Sequence, residues 1–333
     1  MNMPSWQKQY ALLAKDMMGY LGSIGHPIEE EYVTQSSLPV ELIVFSQHGM
    51  ADNNRAMGLL ARKVSLLPTC IIAPDLGLIH TLFEIEPLIR KVEEMAGQTF
   101  NRYAGIPARL MATSLGGVIW VEVLSRHPEW WSHFESLVLL GSPIGGADLA
   151  RIVDPFSWGI GIAKHLGKNR RALAEQITVE IPTLVVTGNI TGGGDGTVSI
   201  ESTKLNHAHY ACLDNVTHSG LRTHPSVVKV IRDFWAQPRQ ILSEPNRNLV
   251  SELIEYFRAV PGITDASARD FSSAKTIFSF DDGTSISTWK NLVGVDHVFI
   301  ANKHGECKYS AFVGWAHSKG LRTAIDIAIR SFS

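Results

Sequence analysis

Cysteine is scarce in this sequence, and its distribution excludes a disulfide framework. Cys70, Cys212 and Cys307 are the three cysteines in 333 residues, and no two of them form a Cys-x-x-Cys pair. An odd number of widely separated thiols is typical of proteins from a reducing compartment. We therefore expect a cytoplasmic protein.

Long apolar runs and an excess of basic charge are also lacking. The formal net charge is −2 and the sequence pI is near 6.7, which argues against a broad nucleic-acid-binding surface. The short charged run KHLGKNRR at 164–171 is instead expected to form a solvated helix face. No apolar run is long enough to span a bilayer, so we expect no integral membrane association.

The N-terminal segment lacks the features of a secretion signal. Residues 1–22 have no early basic region followed by an uninterrupted apolar stretch. The spacing of Leu12, Leu13, Met17 and Leu21 predicts an amphipathic helix that docks on the domain. The alternative is that this helix lies on a membrane surface, so peripheral membrane contact remains possible for the protein.

What is present is the composition of a globular protein with a large core. Apolar residues make up 45% of the chain and charged residues 19%, which fits one large domain or two unequal ones. Short apolar runs alternate with helix-like stretches from about residue 40 to 237. The runs are ELIVFSQ (41–47), CIIAPD (70–75), ARLMATS (108–114), SLVLLGS (136–142), TLVVTGN (183–189) and HYACLD (209–214). Strands that alternate with helices and are apolar on both faces predict an α/β fold with a mostly parallel sheet flanked by helices.

Changes in composition divide the chain into three predicted parts. We expect an N-terminal helix or extension over 1–38, an α/β domain over 39–240 and a small α+β module of unknown role over 246–333. The module is predicted to contain a helix, a hairpin through the Asp-Gly turn of TIFSF-DDGT-SISTW, a second hairpin and a closing helix.

A long excursion at 145–180 interrupts the alternation of strands and helices. It carries Phe156 and Trp158 in an otherwise loop-like context. Long connections in compact domains usually serve a function or are disordered, and this one is apolar. The sequence therefore predicts a lid-like insertion in which Phe156 and Trp158 contact substrate, or alternatively pack on the sheet.

The stretch ATSLGG at 112–117 places Ser114 between a predicted strand and a predicted helix. Ala112 and Gly116 lie two residues to either side of the serine, and small residues there let a sharp strand-to-helix turn close. The pattern resembles the nucleophile elbow of the α/β-hydrolases, Gly-x-Ser-x-Gly, with alanine in the first small position. A serine that only caps a helix is the alternative.

An acid and a histidine follow Ser114 in the chain order of that fold. Asp195 lies in a glycine-rich loop after TLVVTGN, and His218 lies in the loop after HYACLD. A serine hydroxyl is a poor nucleophile unless an imidazole takes its proton and a carboxylate orients the imidazole. We therefore predict a catalytic triad of Ser114, His218 and Asp195.

Other polar residues near these positions are weaker candidates. Asp214 lies at a strand end only four residues before His218, and His224 precedes Pro225 where it could cap a helix. His207 and His209 form a His-x-His pair that no neighbouring cysteine or carboxylate completes as a metal site, so we expect exposed side chains on a strand edge. No metal and no cofactor is expected.

Two backbone N–H groups are predicted to stabilise an oxyanion. The strand ELIVFSQ ends before His48 and Gly49, so the N–H of Met50 can point into the site beside the N–H of Leu115. The His-Gly pair resembles the oxyanion loop of bacterial lipases. His48 is a candidate for substrate contact, and a role in shaping the loop is compatible with its position.

Two further segments are similar to lipase motifs: LGSPIGGADLA (140–150) and GDGTVSIEST (194–203). Together, residues 40–237 resemble α/β-hydrolases of the lipase and esterase type. The resemblance implies hydrolysis of a small-molecule ester or lipid through an acyl-enzyme. An acyltransferase or thioesterase with the same triad, and a non-catalytic hydrolase-like binding protein, remain as alternatives, and a homodimer is left open.

Overall fold

A computed structural model gives the structure of the chain. It describes residues 25–35, 37–146, 168–190, 193–237, 240–243, 247–291 and 294–333. The predicted N-terminal amphipathic helix and most of the predicted lid, including Phe156 and Trp158, lie outside these ranges.

The larger sheet has seven strands in the order β1-β3-β2-β4-β5-β6-β7. The strands are β1 (Glu31–Val33), β2 (Leu42–Gln47), β3 (Thr69–Ile72), β4 (Ala108–Thr113), β5 (Phe134–Leu140), β6 (Thr183–Asn189) and β7 (His209–Asp214). All neighbouring pairs are parallel except β1 and β3. The carboxyl ends of the parallel strands therefore meet at one edge, which is where ligands bind in such sheets.

Helices cover both faces of this sheet. They are α1 (Arg55–Val64), α2 (Glu86–Arg102), α3 (Leu115–Arg126), α4 (Arg171–Thr178), the short α5 (Ile200–Thr203) and α6 (Pro225–Ala236). Successive residues of β2 alternate between two cores: Ile43 and Phe45 pack with α2, α3 and α4, whereas Leu42 and Val44 pack with α1 and α6. This period-two alternation is why the strands are apolar on both faces.

The C-terminal module has its own sheet and its own core. Its strands are β8 (Ile263–Asp265), β9 (Lys275–Ser279), β10 (Ser285–Lys290), β11 (Asp296–Ala301) and β12 (Cys307–Val313), in the antiparallel order β8-β12-β11-β10-β9. Helices α7 (Leu249–Arg258) and α8 (Ser318–Phe332) pack on this sheet. Both predicted hairpins are present, and Gly283 of the Asp-Gly turn has a φ of +84°, so the α+β prediction is confirmed.

Two short strands were not predicted. β1 lies within the segment 1–38 and adds an antiparallel edge to the larger sheet, while β8 adds an edge to the smaller one. Each has three residues, which is too short for a recognisable alternation of apolar and polar residues. The boundaries proposed for the three parts of the chain remain predictions.

The prediction that the charged run at 164–171 forms a solvated helix face is wrong for Arg170 and Arg171. Arg170 and Arg171 are buried. The Nε atom of Arg170 lies 2.6 Å from Oε1 of Glu122 on α3, and Arg171 forms an ion pair with Asp265 on β8. Burial is possible because each guanidinium has a carboxylate partner.

Asp265 joins the C-terminal module to the larger domain. Besides its ion pair with Arg171, its Oδ1 atom accepts a hydrogen bond of 2.8 Å from the Tyr309 hydroxyl. Burial of Tyr309, and the negative charge of Asp265 beside it, raise the pKa of the phenol well above its ordinary value, so the hydroxyl stays a donor. Arg171 also donates to the carbonyl oxygen of Glu201 in α5. The junction is therefore a buried polar network next to the segment that follows Asp195.

Candidate active site

Ser114 lies at the turn between β4 and α3 in a strained backbone conformation. Its φ of 52° and ψ of −126° are values that residues with a Cβ atom rarely adopt. The Ser114 N–H and the Thr113 hydroxyl both donate to the carbonyl oxygen of Leu140, at 2.9 and 3.1 Å. These two hydrogen bonds fix the turn to the end of β5, so contacts with the sheet stabilise the strained conformation.

The small residues beside the serine are required by the close approach of α3 to the sheet. A Cβ atom on Gly116 would lie 2.6 Å from the His48 carbonyl oxygen and 2.9 Å from the Gln47 carbonyl oxygen. A Cβ atom on Gly117 would overlap the side chain of Ser142, just after β5. Ala112 is completely buried. The predicted elbow is therefore present, with α3 beginning directly after Ser114.

Asp195 is fully buried in the loop after β6. Its Oδ1 atom accepts hydrogen bonds from the N–H groups of Thr197 and Val198, at 3.0 and 2.7 Å. The loop can pack closely against β6 because residue 188 is glycine: a Cβ atom there would lie 3.0 Å from the Cβ atom of Asp195. Two backbone donors hold the carboxylate in place and leave its second oxygen for another partner.

That partner is His218. Its Nδ1 atom lies 2.7 Å from Oδ2 of Asp195, and its backbone N–H donates to the Asp195 carbonyl oxygen at 3.0 Å. Since a carboxylate only accepts hydrogen bonds, Nδ1 carries the proton in the neutral imidazole. The lone pair of the ring is then on Nε2, as a general base requires.

The end of β5 brings the elbow and the Asp195–His218 pair together. Leu140 accepts the two hydrogen bonds of the elbow, and the next residue, Gly141, has a φ of +55°. A Cβ atom on Gly141 would lie 2.9 Å from Oδ2 of Asp195 and 3.1 Å from Nδ1 of His218. Leu140 thus contacts the elbow, and the next residue, Gly141, lies against Asp195 and His218, where a larger side chain would not fit.

The predicted oxyanion loop reaches the elbow from β2. A Cβ atom on Gly49 would lie 2.8 Å from the Cβ atom of Ser114 and 3.5 Å from the backbone nitrogen of Leu115. Leu115 is the first residue of α3, so its N–H has no acceptor within the helix and lies at the positive end of the helix dipole. Met50 follows Gly49 directly, and the Ala51 N–H donates to the Thr81 hydroxyl at 2.9 Å. The loop thus lies against the backbone nitrogen of Leu115, which is the second predicted oxyanion donor.

His48 is fully buried, and both of its ring nitrogens are bonded to the protein. Nδ1 lies 2.9 Å from the Gly49 carbonyl oxygen and so must donate, while Nε2 accepts from the Leu76 N–H at 2.9 Å. This arrangement fixes the loop after β2 to the segment after β3. It favours the loop-shaping role of His48 over the predicted contact with substrate.

The two weaker candidates from the sequence, Asp214 and His224, make other contacts. The exposed Asp214 accepts a hydrogen bond of 3.0 Å from the side chain of the half-buried Asn189. His224 caps α6, because its Nδ1 atom accepts from the Ser226 N–H at 3.2 Å. His224 therefore has the capping role that the sequence suggested.

His207 and His209 are not exposed as predicted. Both are half-buried. A ring nitrogen of His207 lies 2.9 Å from the carbonyl oxygen of Leu242, and a ring nitrogen of His209 lies 3.1 Å from that of Gln240. The two imidazoles hold the segment 240–243 against the edge of the sheet.

Sequence reasoning missed a buried ion pair beside the site. The Nη1 atom of Arg222 lies 2.7 Å from Oδ2 of Asp52, and both side chains are at least 97% buried. Asp52 follows the predicted oxyanion loop, and Arg222 follows His218. The two residues are 170 positions apart in the chain, so no local pattern could have linked them.

The mostly parallel sheet flanked by helices, with Ser114 in a strained turn between β4 and α3, has the architecture of an α/β-hydrolase fold. This confirms the predicted mostly parallel sheet flanked by helices, while the lid-like insertion remains a prediction. Among the described helices, none combines the length and the apolar character needed to cross a membrane.

No protein-family model matches the chain, and no curated protein matches it. Several solved structures are similar to it. The mature lipase BlEst2 of Bacillus licheniformis is 19% identical over 62% of this chain and 99% of its own, with a TM-score of 0.45. Est1E of Butyrivibrio proteoclasticus is 14% identical over 62% and 92%, with a TM-score of 0.45. Phospholipase PlaB of Legionella pneumophila is 15% identical over 60% and 61%, also with a TM-score of 0.45.

Proposed function

We propose that this protein is a serine hydrolase that cleaves carboxylic esters through an acyl-enzyme. The observation that carries the proposal is the strained turn at Ser114, fixed to the end of β5 beside the hydrogen-bonded Asp195–His218 pair. A serine that only capped α3 would not need this conformation, and its side chain makes no capping hydrogen bond.

In the acylation step, the Ser114 hydroxyl attacks the ester carbonyl carbon while Nε2 of His218 takes its proton. Asp195 keeps the imidazole in the tautomer with the proton on Nδ1 and stabilises the imidazolium that forms. The tetrahedral intermediate then collapses. Its carbon–oxygen bond to the alcohol breaks, and His218 returns the proton to the leaving alcohol.

The N–H groups of Met50 and Leu115 hold the negative oxygen of the tetrahedral intermediate in this mechanism. Each fixed donor of this kind contributes about a hundredfold to a thousandfold in kcat. In deacylation, His218 takes a proton from water, the resulting hydroxide attacks the acyl carbon, and Ser114 leaves with the proton held by His218. No cofactor or metal is needed for either step.

An apolar acyl group is the substrate chemistry that the surroundings favour. The segment after β3 exposes four large apolar side chains next to Thr81, which holds the oxyanion loop: Leu78, Ile79, Leu82 and Phe83. Exposed apolar clusters commonly mark a contact surface for an apolar ligand. The proposed acyl contacts of Phe156 and Trp158 remain a further prediction.

The test is hydrolysis of p-nitrophenyl esters of increasing acyl length by the wild type and by Ser114→Ala. We expect turnover that rises with chain length and that falls by more than about a thousandfold in the variant. Ser136→Ala is the matched control, because the Ser136 hydroxyl is buried near the opposite end of the sheet without a hydrogen-bond partner among the described residues. Equal loss in both variants would contradict the proposal.

Two alternatives are separated by their products. An acyltransferase or a thioesterase would use the same three residues, so we propose a competition between water and added alcohols, and a comparison of oxygen esters with thioesters. Free acid from an oxygen ester as the main product supports the esterase. A folded wild type that turns over none of these substrates would favour the non-catalytic binding protein.

A further inference from the structure

The Asp52–Arg222 ion pair connects the two loops that the proposed reaction uses at the same time. Asp52 lies two residues after Met50, which is the predicted oxyanion donor from the loop after β2. Arg222 ends the short 3-10 helix Ser219–Arg222, which begins directly after His218. The contact of 2.7 Å between Nη1 and Oδ2 therefore runs from the oxyanion side of the site to the side of the general base.

This pair is poorly suited to a purely stabilising role. Its side chains are 3% and 1% exposed, and no described donor bonds the Oδ1 atom of Asp52. Removing two charges from water costs several kcal/mol for each ion, and apolar residues of similar size often give equal or greater stability. A directional charge-assisted hydrogen bond, by contrast, fixes the separation of two segments.

The two residues after Asp52 hold the same segment in other directions. Asn53 donates to the Gly25 carbonyl oxygen at 3.0 Å, and Asn54 donates to the carbonyl oxygens of Ile28 and Ala73, at 2.9 Å each. These bonds tie the segment to the chain before β1 and to the end of β3. The link to the histidine loop is supplied by Asp52.

We propose that Asp52 and Arg222 are positioning residues that set the distance between the oxyanion donors and His218, an inference that rests on the proposed ester hydrolysis. The tetrahedral intermediate needs the oxyanion donors and His218 at the same time. Its negative oxygen binds the N–H groups while its leaving group receives the proton from His218. A displacement of about 1 Å between such groups lowers a rate by about a hundredfold. Substrate binding does not require both groups, so the effect falls on kcat.

The decisive variant is the double substitution Asp52→Leu with Arg222→Met, because it removes both charges and leaves neither ion buried alone. Ester hydrolysis by this variant is expected to show kcat lowered by about tenfold to a hundredfold, with KM within about twofold of the wild type. Its melting temperature is expected to stay close to that of the wild type.

The control is the double substitution Glu135→Leu with Arg109→Met. These residues form an ion pair of 3.0 Å at the opposite end of the sheet, with side chains 13% and 18% exposed. The control is expected to keep kcat within about twofold, because its pair touches neither catalytic loop.

An unchanged kcat in the folded Asp52→Leu, Arg222→Met protein would overturn the inference and leave the esterase proposal standing. A wild type that neither hydrolyses esters nor reacts with a fluorophosphonate would overturn the proposed function, and the inference with it. If the double variant does not fold, Arg222→Lys replaces it. That variant keeps the charge but changes the geometry, so the same fall in kcat supports the inference and an unchanged kcat overturns it.

Discussion

His218 donates to Asp195 twice, once from Nδ1 to the carboxylate and once from the backbone N–H to the carbonyl oxygen. The side chain of His218 is therefore oriented by the same residue that fixes its backbone. Asp195 is in turn held by the N–H groups of Thr197 and Val198. The pair is a rigid unit, and its effect on activity can be separated from its effect on folding.

Asp195→Asn should remove activity while leaving the fold intact. The amide is close in size to the carboxylate, but it no longer stabilises the imidazolium and can turn its NH₂ group toward Nδ1. We expect kcat for p-nitrophenyl esters to fall by about a thousandfold to ten-thousandfold, with an unchanged circular dichroism spectrum. Asp214→Asn is the control, since this partner of Asn189 should change kcat less than about twofold. The reverse order of effects would identify Asp214 as the acid.

Gly116→Ala should lower both stability and activity. The new methyl group would meet the carbonyl oxygens of His48 and Gln47, and backbone atoms cannot move aside as a flexible side chain can. We expect a loss of about 3 kcal/mol in the free energy of unfolding, measured with urea.

Gly320→Ala is the control for this substitution. Gly320 lies in α8, and outside its chain neighbours and the adjacent backbone of its own helix no described atom lies within 4 Å of the position that its Cβ atom would occupy. Replacing a glycine in a helix by alanine should raise the free energy of unfolding by about 0.5 to 1 kcal/mol. A Gly116→Ala protein as stable and as active as the wild type would show that the elbow is looser than described.

Asp265→Ala should destabilise the protein at the junction with the C-terminal module. The substitution leaves Arg171 buried without its ion-pair partner and removes the acceptor of the Tyr309 hydroxyl. We expect a loss of about 3 to 5 kcal/mol in the free energy of unfolding. The exposed Lys229–Asp233 pair gives the comparison, because Asp233→Ala should cost less than about 0.5 kcal/mol. Similar costs at both positions would exclude a structural role for the junction.

The C-terminal module should lose stability in acid as the carboxylate of Asp296 becomes protonated. Burial alone would raise the pKa of its carboxyl, but hydrogen bonds from Ser318 and Lys290 and the charges of Lys290 and Arg322 hold that pKa below its ordinary value. A lowered pKa in the folded state contributes stability above the unfolded pKa of about 3.9, and the contribution is lost as the pH falls through the folded value.

The measurement for Asp296 is urea unfolding of the wild type and of Asp296→Asn across this range. The wild type should be the more stable protein at about pH 6, and the difference should shrink below about pH 4. A difference that stays constant with pH would show that the carboxyl charge does not stabilise the fold.

Local patterns in the sequence were sufficient for most of the large sheet and for the elbow. Strand β6 and strand β7 have the predicted ends, because glycine, proline and polar residues bound short apolar runs at the limits of strands. Ser114, Asp195 and His218 were found through their order along the chain. The structure adds the contact between Asp195 and His218 and the shared anchor at Leu140 and Gly141.

Contacts between distant charged residues could not be predicted in this way. Arg171 lies in a charged run that is typical of a solvated helix, and its partner Asp265 is 94 residues away in a three-residue strand. Arg222 and Asp52 are separated even further. Pairing of this kind depends on the tertiary fold, so a single sequence carries no local signal for it.

Reaction of the wild type with a fluorophosphonate, followed by mass spectrometry of the labelled peptides, shows whether Ser114 is an activated nucleophile. The reagent modifies serines whose hydroxyl is activated by a neighbouring base. We expect one adduct, on Ser114, that is absent from Ser114→Ala and much slower to form in Asp195→Asn. A folded wild type that stays unlabelled, or an adduct on another serine, would contradict this expectation.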